Sequence, residues 1–468
     1  MAGRPNIILC LCDQLRAFEV GCYGNKVIRT PALDRLAAEG VRFETAVTNY
    51  PVCMAARSVL LSGQYNRTCT GGVANVAYPG RPGEFHMPEY PDFGRPHLKD
   101  PTLPELLHAQ GYETAAIGKW HIHSWPSDIG FDSYVIPRVH HCHSGQNFTE
   151  NGGPEFSPAG WSLDFEAARV AQFLDAHRNS TRPFFLYYNL SPPHCPLADV
   201  PEEYRTLYAP PTIPIRPNVD LRTPLPNQER WFKIYRYDFR HYSLHLPYAN
   251  QLPAGYDLRR LIAEYYGAAT WMDATLGKML AALDEAGLTE NTLLLFASDH
   301  GDNLGSHGLV QKDSPNEEAI RIPLIVRWPA RLSSARVVTG QVASLVDVAA
   351  TVLDLAAIGV PGHVQGNSLA PILRGQKLEL PQNRAFLEIH DGIGIRTPRY
   401  LYYLRWQKAR RIPNETPTFF YDIHADPYQL RNLAATDGRG EAARALHAEL
   451  LRWHDETPWM KAPDPAAN

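Results

Sequence analysis

The sequence predicts an α/β fold: a large, doubly wound, mostly parallel sheet flanked by helices, with a smaller antiparallel sheet towards the C-terminus. Three observations carry this prediction. Continuous apolar runs recur near 6–12, 183–190 and 291–298, the pattern of strands covered on both faces. Helical stretches separate them. A charged or titratable residue stands just past a strand end each time: Asp13, Lys119, His194 and Asp299. Ligands of doubly wound sheets gather at the carboxyl ends of strands, so these four residues predict one shared site.

Taken in order, "NIILCLC" (6–12) reads as a buried first strand. "TPALDRLAAEG" (30–40) reads as a helix, with Thr30 near its N-cap, Pro31 in its first turn and Gly40 as its stop. "TLPELLHAQGYETAAIGKW" (102–120) repeats the plan: a helix, a break at Gly111, then a strand ending near Gly118. "PFFLYYNL" (183–190) is another buried strand. A long helix follows at about 256–286, then "NTLLLFASDHGD" (291–302) passes from strand to loop, and "IPLIVRWP" (322–329) gives one more strand. After about residue 375 the texture changes. "NRAFLEIHDGIGIRTPRYLYYLRW" and "TPTFFYDIHADPYQLRNLA" read as antiparallel strands with turns, and a helix near 438–454 follows. The expected division is a main α/β unit over 1–375 and an α+β subdomain over 376–468. Residues 200–255, rich in Pro, Tyr and Arg, fit neither pattern and read as an insertion or lid.

Bulk properties narrow the function classes. The chain has 468 residues, enough for a large core. Its 45 basic and 49 acidic side chains leave a net charge of -4, which gives no sign of a nucleic-acid or membrane-surface partner. No apolar run is long enough to cross a membrane, and "MAGRPNIILCLCDQLR" lacks the pattern of a signal peptide. A cytoplasmic location is therefore expected, and the sequons at Asn66, Asn147, Asn179 and Asn414 are read as chance. Cys10, Cys12, Cys22, Cys53, Cys69, Cys142 and Cys195 are odd in number and irregular in spacing, which predicts reduced thiols.

The chemistry centres on "PVCMAARSVLLSGQY" (51–65). Cys53-Met54-Ala55-Ala56-Arg57, with Ser62-Gly63 downstream, resembles the signature of type I sulfatases of the alkaline phosphatase superfamily. "DQLRAFEVGCYGN" (13–25), "GKWHIH" (118–123), "SPPHCP" (191–196), "SDHGDNLGSHG" (298–308) and "YDIHADPYQLRNL" (421–433) resemble family segments in the expected order. The resemblance covers nearly the whole chain and is weakest at 125–180 and 200–255.

The resemblance implies that a maturation enzyme converts Cys53 to formylglycine. The hydrated aldehyde offers two hydroxyls: one attacks sulfur and releases the alcohol, and loss of the other's proton expels sulfate. It also implies a divalent cation held by Asp13, modified Cys53, Asp299 and His300. Carboxylates favour Ca²⁺ or Mg²⁺, and the imidazole leaves room for Mn²⁺. Arg57 is expected to hold the modified residue and its loop. Lys119 and Lys312 are expected to contact the cation, hydrate or sulfate oxygens. His121 is placed as the base of the second step, and His194 as general acid or sulfate contact. Asn75 aligns with a sulfate-binding asparagine. Gln14 stands where many members carry a second aspartate, and Asp299-His300 replaces an Asp-Asn pair. Both departures occur in the branch with choline sulfatases and phosphonate monoester hydrolases.

The expected activity is hydrolysis of a small-molecule or carbohydrate sulfate ester. The first rival is a phosphonate monoester or phosphodiester hydrolase on the same scaffold. A non-catalytic binding protein and a thiol hydrolase with unmodified Cys53 are two more. His123, His140, His141 and His143 form a dense cluster, but their spacing fits no familiar metal site, so a pocket-lining loop is expected. "RWFKIYRYDFRHYSLHLPY" (230–248) interleaves Arg230, Lys233, Arg236 and Arg240 with aromatics. The acidic balance argues against nucleic acid there, and a pocket wall, a lid or a contact in a homo-oligomer is expected.

Overall fold

The computed structural model describes residues 4–74, 98–122, 124–137, 142–243, 251–407 and 411–460, with backbone alone at 238–243. The main sheet has ten strands: β1 (Asn6–Asp13), β2 (Val41–Val47), β3 (Glu113–Gly118), β4 (Ser133–Pro137), β5 (Phe148–Glu150), β6 (Phe184–Pro193), β7 (Thr292–Ser298), β8 (Arg321–Ile322), β9 (Leu324–Arg327) and β10 (Arg336–Ser344). Their order is β10-β2-β9-β7-β1-β6-β3-β4-β5, with β8 on β2. The centre, β7-β1-β6-β3-β4, is parallel, and β9 runs antiparallel between β2 and β7. The single strand expected at 322–329 is thus a short β8 and a separate antiparallel β9.

Every residue of β1, β6 and β7 is buried because both faces are covered. Along β1 the two-residue period sends Ile7, Leu9 and Leu11 into one hydrophobic core and Ile8, Cys10 and Cys12 into the other. That alternation accounts for Cys10 and Cys12, and all seven cysteines are free thiols. The helix Leu258–Glu285 fills the second core with Tyr265, Met272, Leu276 and Leu283.

Register decides where the site lies. Cys12 pairs with Ser298 of β7 and Leu190 of β6, and the β1–β6 register then shifts before Asp13. Gly118 of β3 pairs with Asn189 of β6. The parallel strands therefore end at one level, and Asp13, Lys119, Asn189 and Asp299 meet at that edge. Gly118 is required there: its φ is +89°, and a Cβ would stand 2.1 Å from the Asn189 carbonyl oxygen.

The helix Pro31–Ala38 forms where expected with Thr30 at its N-cap, but the Thr30 side chain does not bond the first amides. Thr30 Oγ1 accepts the Gly21 amide, and the free amides of Ala32 and Leu33 donate to Asp273 at 2.9 and 2.8 Å. Residues 200–255, which matched neither pattern, contain the helix Gln228–Ser243. It buries Phe232, Ile234 and Tyr235, while Lys233 pairs with Glu229 and Arg236 with Glu264.

The second sheet has the order β11-β12-β13-β14, with β15 on β13: β11 (Ala385–Ile389), β12 (Gly392–Arg396), β13 (Tyr400–Gln407), β14 (Ile412–Pro413) and β15 (Phe419–Asp422), all antiparallel. The helix Glu441–Glu456 packs Leu446, Leu450 and Trp453 on it, with Trp453 stacked 4.8 Å from Phe386. One hydrophobic core runs from β1 through Ile393 and Leu404 of this sheet. Among the described residues no helix is long and apolar enough to cross a membrane.

Candidate active site

The helix Cys53–Ser62 starts at Cys53, just beyond the loop that leaves β2, and all ten of its residues are buried. Its first turn places the Cys53 sulfur at the edge where β1 and β7 end. Cys53 Sγ lies 3.6 Å from Asp13 Oδ1 and 3.2 Å from His300 Nε2. One donor atom each from Asp13, Cys53, Asp299 and His300 falls within 4.8 Å of all the others. His300 Nδ1 lies 2.8 Å from the Gly301 carbonyl oxygen, to which it can only donate. Nε2 then faces the two carboxylates, 3.7 and 3.6 Å away. This donor set fits a hard or borderline divalent cation.

Arg57, one turn along the same helix, binds three partners with three nitrogens. Nε donates to Asp299 Oδ2 at 3.0 Å, Nη2 to Asp13 Oδ2 at 3.1 Å, and Nη1 to Asn189 Oδ1 at 2.8 Å. The fork thus grips the two carboxylates that flank Cys53. Lys119 Nζ adds a 2.6 Å contact to Asp13 Oδ2. Lys312 Nζ stands 2.8 Å from Cys53 Sγ and donates to Gln14 Oε1 at 3.2 Å. Buried Arg57 and Lys119 and half-buried Lys312 thus face the two carboxylates and the Cys53 sulfur.

These charges set the titration behaviour. Burial raises the Asp13 carboxyl, but Lys119 and its other cationic neighbours outweigh burial and hold it well below the usual range. Burial and Asp13 push Asp299 up to about 6. Burial and Asp13 raise the Cys53 thiol, yet Lys312, His300 and Lys119 win and hold it well below its ordinary value. Burial, followed by Lys119 and Lys312, pushes His194 down to about 4. Burial likewise lowers His121. Both imidazoles interact with Cys53 and are neutral near pH 7.

Gln14 sits in the left-handed region with φ at 69°, its amide donating to Asp299 Oδ1 at 3.1 Å. Its side-chain amide donates to Asp302, which also accepts from Tyr235. Asn189 and Tyr235 are the residues that sequence reasoning missed as site partners. Asn75, His123, His140 and His141 lie outside the described residues. His143 is buried, its ring edge-on to Trp271 at 5.3 Å.

Comparison with known proteins decides the family. The sulfatase family model matches residues 5–358, and a model for the C-terminal part of N-sulphoglucosamine sulphohydrolase matches 305–456. The chain belongs to the sulfatase family. The steryl-sulfatase of Mus musculus is 31% identical over 472 residues, covering 87% of this chain and 70% of that protein. The ulvan-active sulfatase of Formosa agariphila is 27% identical over 450 residues, covering 92% and 77%. The N-acetylglucosamine-6-O-sulfatase of Bacteroides thetaiotaomicron is 25% identical over 508 residues, covering 97% and 86%. A structure in complex with D-glucosamine-2-N,6-O-disulfate superposes with a TM-score of 0.76 at 23% identity, covering 97% of this chain and 99% of the other. The phosphonate monoester hydrolase of Agrobacterium radiobacter gives 0.70 at 20% identity, covering 97% and 96%. The sulfatase is an enzyme of sulfate ester hydrolysis, and its two-sheet architecture is that of these structures.

Proposed function

We propose that this sulfatase cleaves a sulfate monoester of a sugar-like alcohol, using formylglycine at Cys53 and one divalent cation held by Asp13, Cys53, Asp299 and His300. The observation that supports this most is the convergence of those four donors beside Lys312 and Lys119. The modified residue would supply the nucleophile, and a cation held by these residues would supply positive charge beside it. Ca²⁺ suits the two carboxylates best, with Mg²⁺ and Mn²⁺ as alternatives. A separate maturation enzyme makes the modification.

The chain's own residues prepare the site. Arg57 keeps Asp13 and Asp299 ionised side by side and fixes their orientation. Lys312 and Lys119 set positive charge where the bound ester's oxygens gain negative charge. His121 takes a proton from the modified residue when sulfate leaves. His194 is neutral before substrate arrives; a bound sulfate offsets Lys119 and Lys312 and raises its proton affinity, so that it can protonate the departing alcohol oxygen. Asn75 completes the sulfate contacts.

Carbohydrate sulfate is favoured because relatives named for sugar-sulfate substrates match most of the chain. A second reading, phosphonate monoester hydrolysis, is favoured by Gln14 and the Asp299-His300 pair, the two departures that the phosphonate monoester hydrolase branch shares. The test is the mass of the tryptic peptide Phe43–Arg57 together with kcat/KM on matched aryl sulfate and aryl phosphonate esters. Aldehyde at Cys53 with preference for sulfate supports the first reading. Preference for phosphonate supports the second. Unmodified thiol in active enzyme defeats both.

A further inference from the structure

Lys312, whose amine stands 2.8 Å from Cys53 Sγ, lies between two residues with left-handed backbones: φ is 60° at Gln311 and 65° at Asp313. Residues other than glycine keep that conformation where their surroundings impose it. Both neighbours are tethered. The Gln311 amide donates to the Tyr235 hydroxyl at 2.6 Å, and the Gln311 carbonyl accepts the Asn303 amide at 2.7 Å. The Asp313 amide donates to the Pro51 carbonyl at 3.0 Å. The Asp313 carboxylate is held from the other sheet: His390 Nδ1 lies 2.5 Å from Oδ2, and the His390 amide reaches Oδ1 at 3.5 Å.

His390 stands on a fixed base. Ile389 of β11 pairs with Gly392 of β12, so His390 and Asp391 form a two-residue turn. The Asp391 carboxylate is clamped by the Tyr403 hydroxyl and by Arg405 at 2.9 Å. Two residues before the turn, the Glu388 amide donates to the Asn49 carbonyl at 2.7 Å, and Asn49 Nδ2 donates to the Phe386 carbonyl at 2.9 Å. Asn49 belongs to the loop that leads from β2 to Cys53. One edge of the second sheet is therefore fastened both to the loop of the nucleophile and to the neighbour of Lys312. Among the described residues no other basic group pairs with Asp313.

We infer that His390 and Asp313 are positioning residues for sulfate ester hydrolysis: through this pair the second sheet holds Lys312 at Cys53. The inference rests on the role given to Lys312 above. The pair is partly open, with His390 63% and Asp313 31% exposed, so it adds little to stability and acts through orientation.

The test is steady-state kinetics of the metal-loaded chain carrying formylglycine, on p-nitrophenyl sulfate and methylumbelliferyl sulfate. His390→Ala should lower kcat about tenfold on both esters while KM changes less than about twofold, because a shifted amine is felt where charge develops. Asp313→Asn tolerates the same φ and should give the same loss. The double variant should fall no further than either single one. His390→Asn, whose side-chain amide can occupy the place of Nδ1, should recover at least about threefold of the loss. The thermal midpoint should stay within about 2 °C in all four. The inference is overturned if kcat stays within about twofold in both single variants, if the losses add, or if the midpoint falls in step with kcat. It is also overturned by a loss confined to KM that differs between the two esters, which would put His390 on the alcohol. Failure of the Lys312 reading shows elsewhere, as full activity of Lys312→Met.

Discussion

The Tyr235 hydroxyl donates to Asp302 Oδ1 at 2.6 Å and accepts the Gln311 amide at 2.6 Å, joining the helix Gln228–Ser243 to both loops of the active site. Asp302 in turn accepts from Gln14, and Gln14 Oε1 accepts from Lys312, whose amine faces Cys53. A hydroxyl on a surface segment thereby helps to aim a cation at the nucleophile. Tyr235→Phe keeps the buried ring, strands the Gln311 amide and leaves Asp302 Oδ1 with the Leu304 amide alone. The expected outcome is a kcat lowered about tenfold with KM changed less than about twofold, read by steady-state kinetics on an aryl sulfate. A change confined to KM would disconnect this chain of bonds from catalysis.

Arg57 is fully buried between Asp13 and Asp299. Lysine carries the charge but lacks the fork, so it cannot serve Asp299, Asp13 and Asn189 together. Arg57→Lys should therefore lower the affinity for the cation at least tenfold and kcat/KM by about a hundredfold. Arg57→Ala leaves buried charge uncompensated and should destabilise the fold by about 3–5 kcal/mol. Metal titration and urea unfolding read the two effects separately. An Arg57→Lys chain with native metal affinity would show that the charge alone suffices.

The strand ends were legible because a buried run must stop where charge begins. Asp13 and Asp299 could be placed at one edge before any coordinates, and the signature around Cys53 named its partners. Tyr235 was not legible. Its partner is 67 residues away, and the helix carrying it follows a stretch of prolines. Asp302 reads from sequence as a turn residue or a support behind the site, and Gln14 and Tyr235 converge on it. The helix Pro31–Ala38 has Thr30 at its N-cap as expected, but the Thr30 side chain does not serve the first amides. A local threonine satisfies the rule for caps, but the amides found a carboxylate 241 and 240 positions away. Short-range rules see neighbours in sequence, and tertiary partners override them.

Removing the cation should have two readouts. Chelation should abolish aryl sulfate turnover, and Ca²⁺ should restore it. Binding to the folded state alone also stabilises it, by about 2.7 kcal/mol at a hundred times Kd, so the thermal midpoint should rise with added ion. Asp299→Ala deletes a donor and should erase both the turnover and the ion-dependent rise. A midpoint indifferent to Ca²⁺, Mg²⁺ and Mn²⁺ in the unaltered chain would mean that the four donors do not hold a cation.

Asp273 offers a pH test far from the active site. It is wholly buried, accepts the amides of Ala32 and Leu33, and burial pushes its carboxyl up to about 7. A carboxyl raised in the folded state binds its proton more tightly there than in the unfolded chain. Its contribution to stability is full below the unfolded value near 4 and disappears as pH rises through 7. Between pH 5 and pH 8 that loss amounts to about 2–3 kcal/mol, an order-of-magnitude figure from the shift. Asp273→Asn keeps an acceptor for one amide and cannot ionise. Urea unfolding at pH 5 and pH 8 should show the unaltered chain losing more stability than the variant as pH rises. Parallel losses would mean that the helix N-terminus keeps the Asp273 carboxylate comfortable when charged, with its dipole outweighing desolvation.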